Sequence, residues 1–203
     1  MPTQPHSTTK KEKETHPMKK LICLGDSITA DDYFADGTPR LVPRLRAATG
    51  WTVRNAGISG DNTRDALARL QNDVLQHNAD IVTIFLGTND AAAHKMVPLP
   101  EYSKNLQTLV EQIGAEKIVF ITPAPVDTSH PRNRENTTLQ AFGSAVQQVA
   151  AQNNCPCIDL FAAMAALPNY PAMLTDGLHF APEGYELLTQ LILEKLAQCG
   201  WME

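Results

Sequence analysis

Leu21-Ile22-Cys23-Leu24-Gly25-Asp26-Ser27-Ile28-Thr29 is a short apolar run that ends abruptly in Gly-Asp-Ser. An apolar run bounded by turn residues is typical of a strand that is buried on both faces of a sheet. Ser27 therefore follows the carboxyl end of a strand, the edge at which open parallel α/β sheets bind ligands. A serine at this edge is a candidate nucleophile, although a serine there could instead cap a following helix.

The composition is that of a globular protein rather than a nucleic-acid-binding or membrane protein. The chain has 203 residues, of which 43% are hydrophobic and 19% are charged, and this length fits one domain. A formal net charge of −5 argues against a nucleic-acid partner, because such a partner requires a basic face. No apolar run approaches the roughly 20 residues that cross a bilayer, so we expect no membrane partner.

Residues 1–19 differ in composition from the rest of the chain. They are rich in Lys, Thr and Pro and contain almost no apolar side chains, which predicts a disordered N-terminal tail. The tail does not resemble a secretory signal, because the only apolar run after its basic residues is Leu21–Leu24. Met18 is an alternative start.

The cysteines indicate the redox compartment. There are four of them: Cys23, Cys155, Cys157 and Cys199. Their spacing matches neither a disulfide framework nor the usual zinc or redox motifs. A reducing, cytoplasmic location is therefore expected.

Apolar runs and helical patterns alternate five times along the chain. Further strands are predicted at residues 51–55, 81–86, 117–122 and 157–160, and helices at residues 39–49, 61–77, 99–113, 132–153, 161–166 and from 182 onward. This alternation predicts an α/β fold with a parallel sheet and helices on both faces. The run at 81–86 is the most apolar, as expected for a central strand.

Four features follow predicted strands and would share one edge of the sheet: Ser27, Gly60, Asn89 and the turn from Asp176 to His179. Each has a simple structural interpretation. Gly60 could only permit a tight turn, Asn89 could only cap one, and the segment from Asp176 to His179 could be a plain β-turn. Their convergence on one edge instead favours an active site.

The chemistry of acyl transfer explains why these residue types belong together. A serine hydroxyl is a poor nucleophile and needs an adjacent base, which His179 can be. A carboxylate holds such a histidine in the right tautomer, and a four-residue turn brings Asp176 within roughly 7 Å of it. Negative charge that develops on the carbonyl oxygen needs donors in place. Gly60, Asn89 and the Ser27 N–H, which is expected near a helix start, can supply them.

The blocks Gly25-Asp26-Ser27, Gly60, Gly87-Thr88-Asn89-Asp90 and Asp176-Gly177-Leu178-His179 resemble the SGNH, or GDSL, hydrolases. They occur in that family's order and cover the chain from about residue 21 to residue 196. Residues 83–91, 97–101 and 174–180 look like the isoamyl acetate-hydrolysing esterase branch. Residues 55–61 look more like the bacterial thioesterases and lysophospholipases.

The resemblance implies a serine esterase in which Ser27 is the nucleophile, His179 the base and Asp176 its orienting carboxylate. It also implies an oxyanion hole formed by the Ser27 N–H, the Gly60 N–H and the Asn89 side chain.

The resemblance further implies a flavodoxin-like three-layer α/β/α sandwich with strand order 2-1-3-4-5, here as a single domain over residues 20–203. No metal and no cofactor are implied, and the partner is a small-molecule ester. Gly57 competes with Gly60 for the oxyanion role, and Gly60 is preferred from its place in the block. Monomer and homo-oligomer both remain open.

The sequence allows several interpretations of the function. Small esters with short acyl chains are the expected substrates, and a carbohydrate O-acetyl esterase or a lysophospholipase/thioesterase is the alternative within the family. From a different class, Ser27 and Thr29 could bind phosphate in a flavodoxin-like binding module, or the chain could be a non-catalytic interaction domain. The loop after the first predicted strand lacks the Gly-rich pattern that a phosphate site requires. His94 could line the pocket or be a solvated loop residue.

Overall fold

The computed structural model describes residues 18–130 and 132–202. The disordered tail expected at residues 1–19 therefore lies, apart from Met18 and Lys19, outside the described residues. The structure contains the strands β1 (Lys20–Gly25), β2 (Thr52–Gly57), β3 (Ile81–Phe85), β4 (Ile118–Ile121) and β5 (Cys157–Ile158). Neighbouring strands are all parallel, in the order β2-β1-β3-β4-β5. This order is the one that the family resemblance implied.

Helices cover both faces of the sheet and complete three layers. They are α1 (Leu41–Thr49), α2 (Thr63–Asp73), α3 (Leu99–Ile113), α4 (Asn136–Gln152), α5 (Leu160–Ala165) and α6 (Pro182–Gln198). Helices α2, α3 and α4 pack on one face, and α1, α5 and α6 pack on the other. None of the helices in the described part of the chain is both long and apolar enough to cross a membrane.

The interior strand β1 shows why the opening apolar run is a strand. Ile22 and Leu24 point into the core beneath α2, α3 and α4, whereas Leu21 and Cys23 point into the core beneath α1, α5 and α6. All four side chains are buried, as expected for a strand whose successive residues face opposite layers. Burial of a side chain such as leucine stabilises the fold by about 1.5–3 kcal/mol, so β1 anchors both layers.

Helix α2 begins with an N-terminal cap at Asn62. The Asn62 side chain accepts hydrogen bonds from the backbone N–H groups of Arg64 and Asp65, and the Asp65 carboxylate accepts one from the Asn62 N–H. The preceding residue, Asp61, forms a salt bridge with Arg69. The helix ends at Asp73, and a 3₁₀ turn follows. The prediction of a single helix over residues 61–77 is therefore wrong at its C-terminal end.

Helix α4 begins four residues later than its helical pattern predicts. Its first residue is Asn136 rather than Arg132. The Asn136 side chain explains this start, because its oxygen accepts from the Val126 N–H at 2.8 Å and its nitrogen donates to the Val126 carbonyl at 2.9 Å. Residues 132–134 are thereby left as non-helical chain over the edge where the strands end.

Candidate active site

Ser27 lies in a tight turn directly after β1. The backbone N–H groups of Thr29 and Ala30 donate to the Asp26 carbonyl at 3.1 and 2.8 Å, which closes a single turn. The next helix begins only at Leu41. The interpretation of Ser27 as a helix cap, and the expectation that its N–H lies near a helix start, are therefore wrong. The turn instead places the Ser27 side chain at the carboxyl edge of the sheet.

The structure brings Ser27, His179 and Asp176 into one hydrogen-bonded chain. The Ser27 Oγ lies 3.0 Å from the His179 Nε2. The other ring nitrogen, His179 Nδ1, lies 2.9 Å from the Asp176 Oδ2. Because the carboxylate accepts a hydrogen bond from Nδ1–H, Nε2 is left as the acceptor for the serine hydroxyl. This arrangement can remove a proton from Ser27.

Asp176 and His179 meet through a local turn, as their spacing predicts. The Asp176 Oδ1 accepts from the backbone N–H groups of Leu178 and His179 at 3.1 and 2.8 Å. Gly177 sits in the turn with a φ of 82°, a conformation that glycine adopts at little cost. The second oxygen of the carboxylate is left free to face the His179 ring.

The Asp176 carboxyl group is ionised at neutral pH. Partial burial raises its pKa, but the hydrogen bonds from the backbone and ring of His179 outweigh that effect and bring the pKa to about 2. Arg132 adds a cation, with a guanidinium nitrogen 3.0 Å from the Asp176 Oδ2. Arg132 also donates from Nε to the Asp176 carbonyl at 3.0 Å. The carboxylate can therefore stabilise a positive charge that forms on His179.

Two glycines follow β2, and their hydrogen bonds distinguish them. The Gly57 N–H donates to the Asn55 side chain at 2.9 Å, so this N–H group is already hydrogen-bonded within the protein. The Gly60 N–H and the Ser27 N–H bond to no acceptor within the described residues. Gly60 has a φ of 88°, and its carbonyl accepts from the Lys95 Nζ at 2.5 Å. These contacts favour Gly60 over Gly57 as an oxyanion donor.

Asn89 is buried and connects the loops that follow three strands. Its Nδ2 donates to the Asp61 carbonyl at 2.9 Å and, more weakly, to the Asp26 Oδ2 at 3.3 Å. Its Oδ1 accepts from the Arg134 guanidinium at 2.7 Å. A side chain that only capped its own turn would not make these long-range contacts. The amide nitrogen is directed to the turn that carries Ser27.

Besides Arg132, three charged residues that support the site were missed from the sequence. Arg69 donates to the carbonyls of Gly25 and Ala56 at 3.1 and 2.9 Å, and so joins the ends of β1 and β2. Arg134 binds the loop of Asn89. Asp26 is buried, and this burial raises its pKa to about 6. Only Asp26 carried a sequence signal, as the acidic residue directly before Ser27.

The other histidines have different surroundings. His94 is exposed on the loop after β3, and a role in the pocket stays a prediction. His130 forms a second Asp–His pair with the same spacing as the first, since its Nδ1 lies 2.7 Å from the Asp127 Oδ2. Across residues 18–130 and 132–202, no group of three or more His, Cys, Asp or Glu side chains is arranged to hold a metal ion.

Comparison with known proteins adds a family match to this geometry. Residues 23–187 match the model of the GDSL-like Lipase/Acylhydrolase family. The isoamyl acetate-hydrolyzing esterase 1 homolog of Homo sapiens is 32% identical over 83% of this chain and 77% of its own length. The acetylxylan esterase of Geobacillus stearothermophilus is 30% identical over 87% of this chain and 94% of its own.

A solved structure described as the lipase/acylhydrolase from Enterococcus faecalis superimposes with a TM-score of 0.84. It is 38% identical in sequence, and the match covers 92% of this chain and 98% of that one. The fold is therefore shared with this solved structure over nearly the whole chain.

Proposed function

Because the chain belongs to the GDSL-like lipase/acylhydrolase family and is therefore a carboxylic ester hydrolase, we propose that it cleaves small esters with short acyl chains through an acyl-enzyme on Ser27. The observation that carries this proposal is the chain of two hydrogen bonds from Ser27 Oγ to His179 Nε2 at 3.0 Å and from His179 Nδ1 to Asp176 Oδ2 at 2.9 Å. Such a chain is what a serine hydrolase requires.

In the first half of the reaction, His179 Nε2 accepts the proton of Ser27 as Oγ attacks the ester carbonyl. Asp176 stabilises the imidazolium that forms. The carbonyl oxygen becomes an oxyanion, which the N–H groups of Ser27 and Gly60 and the Asn89 amide stabilise. The tetrahedral intermediate collapses when His179 donates its proton to the departing alcohol, and the acyl group stays on Ser27.

In the second half, water takes the place of the alcohol. His179 accepts a proton from the water as its oxygen attacks the acyl carbonyl, and the same donors stabilise the second oxyanion. Return of the proton to Ser27 Oγ releases the carboxylic acid. Apart from the ester and one water molecule, these steps use only side chains and backbone amides of this chain.

The preference for short acyl chains rests on the small apolar surface beside Gly60. Ile58 and Met96 are each 46% exposed. Ile58 comes two residues before Gly60 in the chain, and Met96 directly follows Lys95, whose Nζ donates to the Gly60 carbonyl. Burial of one methylene group contributes about 0.8 kcal/mol, so two exposed side chains can accommodate only a few methylenes favourably. The human relative that matches this chain is named for an acetate ester.

A second candidate is a carbohydrate O-acetyl esterase. The relative from Geobacillus stearothermophilus is named an acetylxylan esterase. The site supports this candidate because the side chain of His179 is 42% exposed, and an open site can accept a bulky alcohol such as a sugar. Both candidates share an acetyl group and differ in the alcohol.

Rates on a set of esters test the proposal. We expect kcat/KM to be highest for p-nitrophenyl acetate or butyrate and to fall at the octanoate, and Ser27→Ala to abolish all of these rates. Faster cleavage of the octanoate would contradict the short-chain proposal and favour a lysophospholipase or thioesterase. A higher kcat/KM for acetylated xylooligosaccharides than for alkyl acetates would identify the sugar as the alcohol.

We propose a cytoplasmic location, with no nucleic-acid or membrane partner. All four cysteines are unpaired thiols, which suits a reducing compartment. The net charge of −5 opposes binding to nucleic acid or to anionic lipid. Fractionation of the source cells, followed by detection of the protein in the supernatant or the membrane pellet, tests this location.

A further inference from the structure

Arg134 makes hydrogen bonds with each of its three guanidinium nitrogens. Nε donates to the Thr88 carbonyl at 2.6 Å, and one terminal nitrogen donates to the Asn89 Oδ1 at 2.7 Å. The other terminal nitrogen donates to the Arg132 carbonyl at 2.8 Å. The guanidinium therefore holds both the backbone and the side chain of the loop that follows β3. Three of its five N–H groups are thus used in contacts to protein atoms of the described residues.

These contacts determine which way the Asn89 amide faces. In the observed orientation Oδ1 faces a cation, and Nδ2 faces two acceptors, the Asp61 carbonyl and the Asp26 carboxylate. A rotation by 180° would place Nδ2 against the Arg134 guanidinium and Oδ1 against two oxygens. All three contacts would then be repulsive. Arg134 is the partner that determines the position of the Asn89 Oδ1.

The cation also affects how well the amide donates. A hydrogen bond from a charged donor to Oδ1 polarises the amide, and hydrogen bonds in a chain strengthen one another. The Nδ2 hydrogen that makes only the longer contact, 3.3 Å to the Asp26 Oδ2, is the one that can turn to an oxyanion, and the polarised amide makes it a stronger donor toward negative charge. This effect is largest in the transition state, when charge develops on the substrate oxygen.

We propose that Arg134 is a positioning residue for ester hydrolysis, which orients and polarises the Asn89 amide as an oxyanion donor. The proposal rests on the proposed function, because it needs Asn89 to act in the oxyanion hole. Within the described residues, Arg134 makes no hydrogen bond to Ser27, His179 or Asp176. Its contribution passes through Asn89, and this dependence is what an experiment can detect.

A double-mutant cycle tests the dependence. Arg134→Gln, Asn89→Ala and the double variant are compared with the wild type on p-nitrophenyl acetate. Rates are expressed per serine titrated by a reactive phosphonate, so that misfolded protein does not count. We expect Arg134→Gln to lower kcat about 10- to 100-fold, less than the roughly 10²–10³-fold expected for loss of a direct donor. KM should change little.

The decisive result is the double variant. We expect Arg134→Gln to cause no further loss of kcat in the Asn89→Ala background, because the group through which it acts is gone. Losses that multiply in the double variant would overturn the proposal, and so would an unchanged kcat in Arg134→Gln alone. A general effect of Arg134 on folding would lower the titrated fraction but leave kcat per serine unchanged.

Two further variants complete the test. Arg134→Lys keeps the charge, but its single nitrogen cannot bind the Thr88 carbonyl and the Asn89 Oδ1 in the same geometry, so we expect partial recovery of kcat. It also serves as the test variant if Arg134→Gln yields no titratable serine. Arg64→Gln removes an exposed arginine paired with Glu101 and should leave kcat unchanged. A wild type without esterase activity would instead refute the proposed function itself.

Discussion

Replacement of Asp176 by asparagine should inactivate the enzyme without unfolding it. The Asp176 Oδ1 accepts two backbone N–H groups at 2.8 and 3.1 Å, so the oxygen of an asparagine amide must occupy that position. The amide nitrogen is then placed where Oδ2 lies, 2.9 Å from the His179 Nδ1 and 3.0 Å from the Arg132 guanidinium. Both of those neighbours are donors in the wild type.

The consequence is the wrong tautomer of His179. Its Nδ1 must accept from the asparagine amide, so the proton moves to Nε2, which then cannot accept the proton of Ser27. A change of this kind in a serine triad costs about 10⁴-fold in kcat, or about 5.5 kcal/mol of barrier. Stability should change little, because the backbone contacts remain and an exposed ion pair such as that with Arg132 contributes only about 0–1 kcal/mol.

The assay measures kcat on p-nitrophenyl acetate and the melting temperature of the same preparation. We expect a loss of about 10⁴-fold in kcat and a decrease in Tm of no more than about 4 °C. Asp127→Asn is the matched control, because Asp127 faces His130 with the same spacing and a distance of 2.7 Å. It should leave kcat unchanged. An Asp176→Asn variant that keeps a tenth or more of wild-type kcat would refute the reasoning.

Three further predictions concern the residues around the serine. Asn89→Ala should lower kcat about 10²–10³-fold with KM little changed. Steady-state kinetics and the melting temperature of the same preparation test this prediction, and a lower Tm with unchanged kcat would show that Asn89 only caps a turn. Gly60→Ala should lower both kcat and Tm, since a φ of 88° costs an alanine about 1–2 kcal/mol. Gly37→Ala is the control: its φ is 85°, and it should lower Tm without a change in kcat. Burial raises the Asp26 pKa from 3.8 to about 6, so the folded state binds the proton more tightly and loses stability as the pH rises through that window. Urea titrations measure the free energy of unfolding of Asp26→Asn and of the wild type. The difference between the two should grow from pH 4 to pH 7, to at most about 3 kcal/mol. A difference that does not change with pH would contradict a raised pKa for Asp26.

The parts of the fold with strong local signals could be predicted from the sequence. Strand β3 is β-branched and apolar and is followed by Gly87, and helix α3 lies between Pro98 and Gly114; the predicted helix has the observed limits, and the predicted strand is one residue longer than observed. The order of the strands followed from the family resemblance. In these cases local propensity and tertiary packing favour the same structure.

The beginning of α4 could not be predicted, because a distant contact determines it. The helical pattern extends back to Arg132, but the Asn136 side chain is bound to the backbone of Val126 and the helix begins there. As a result Arg132 and Arg134 contact Asp176 and Asn89. Sequence gives no sign of this, since an arginine at the start of a predicted helix looks like a solvated charge.

The site shows the same division between local and distant contacts. Asp176 and His179 meet through a turn of four residues, so their pairing follows from spacing. The orientation of Asn89 depends on Asp26, Asp61 and Arg134, which come from three other segments of the chain. Such an orientation depends on how the loops pack together, and no short motif contains it.

The most direct test of the account is the site of covalent labelling by a reactive phosphonate. We expect a single adduct in the intact mass, mapped to Ser27 by peptide sequencing, with loss of esterase activity in proportion to labelling. The Ser27→Ala variant should take up no label and show no turnover while keeping the wild-type fold. An adduct on another residue, or wild-type turnover by Ser27→Ala, would contradict the assignment of Ser27 as the nucleophile.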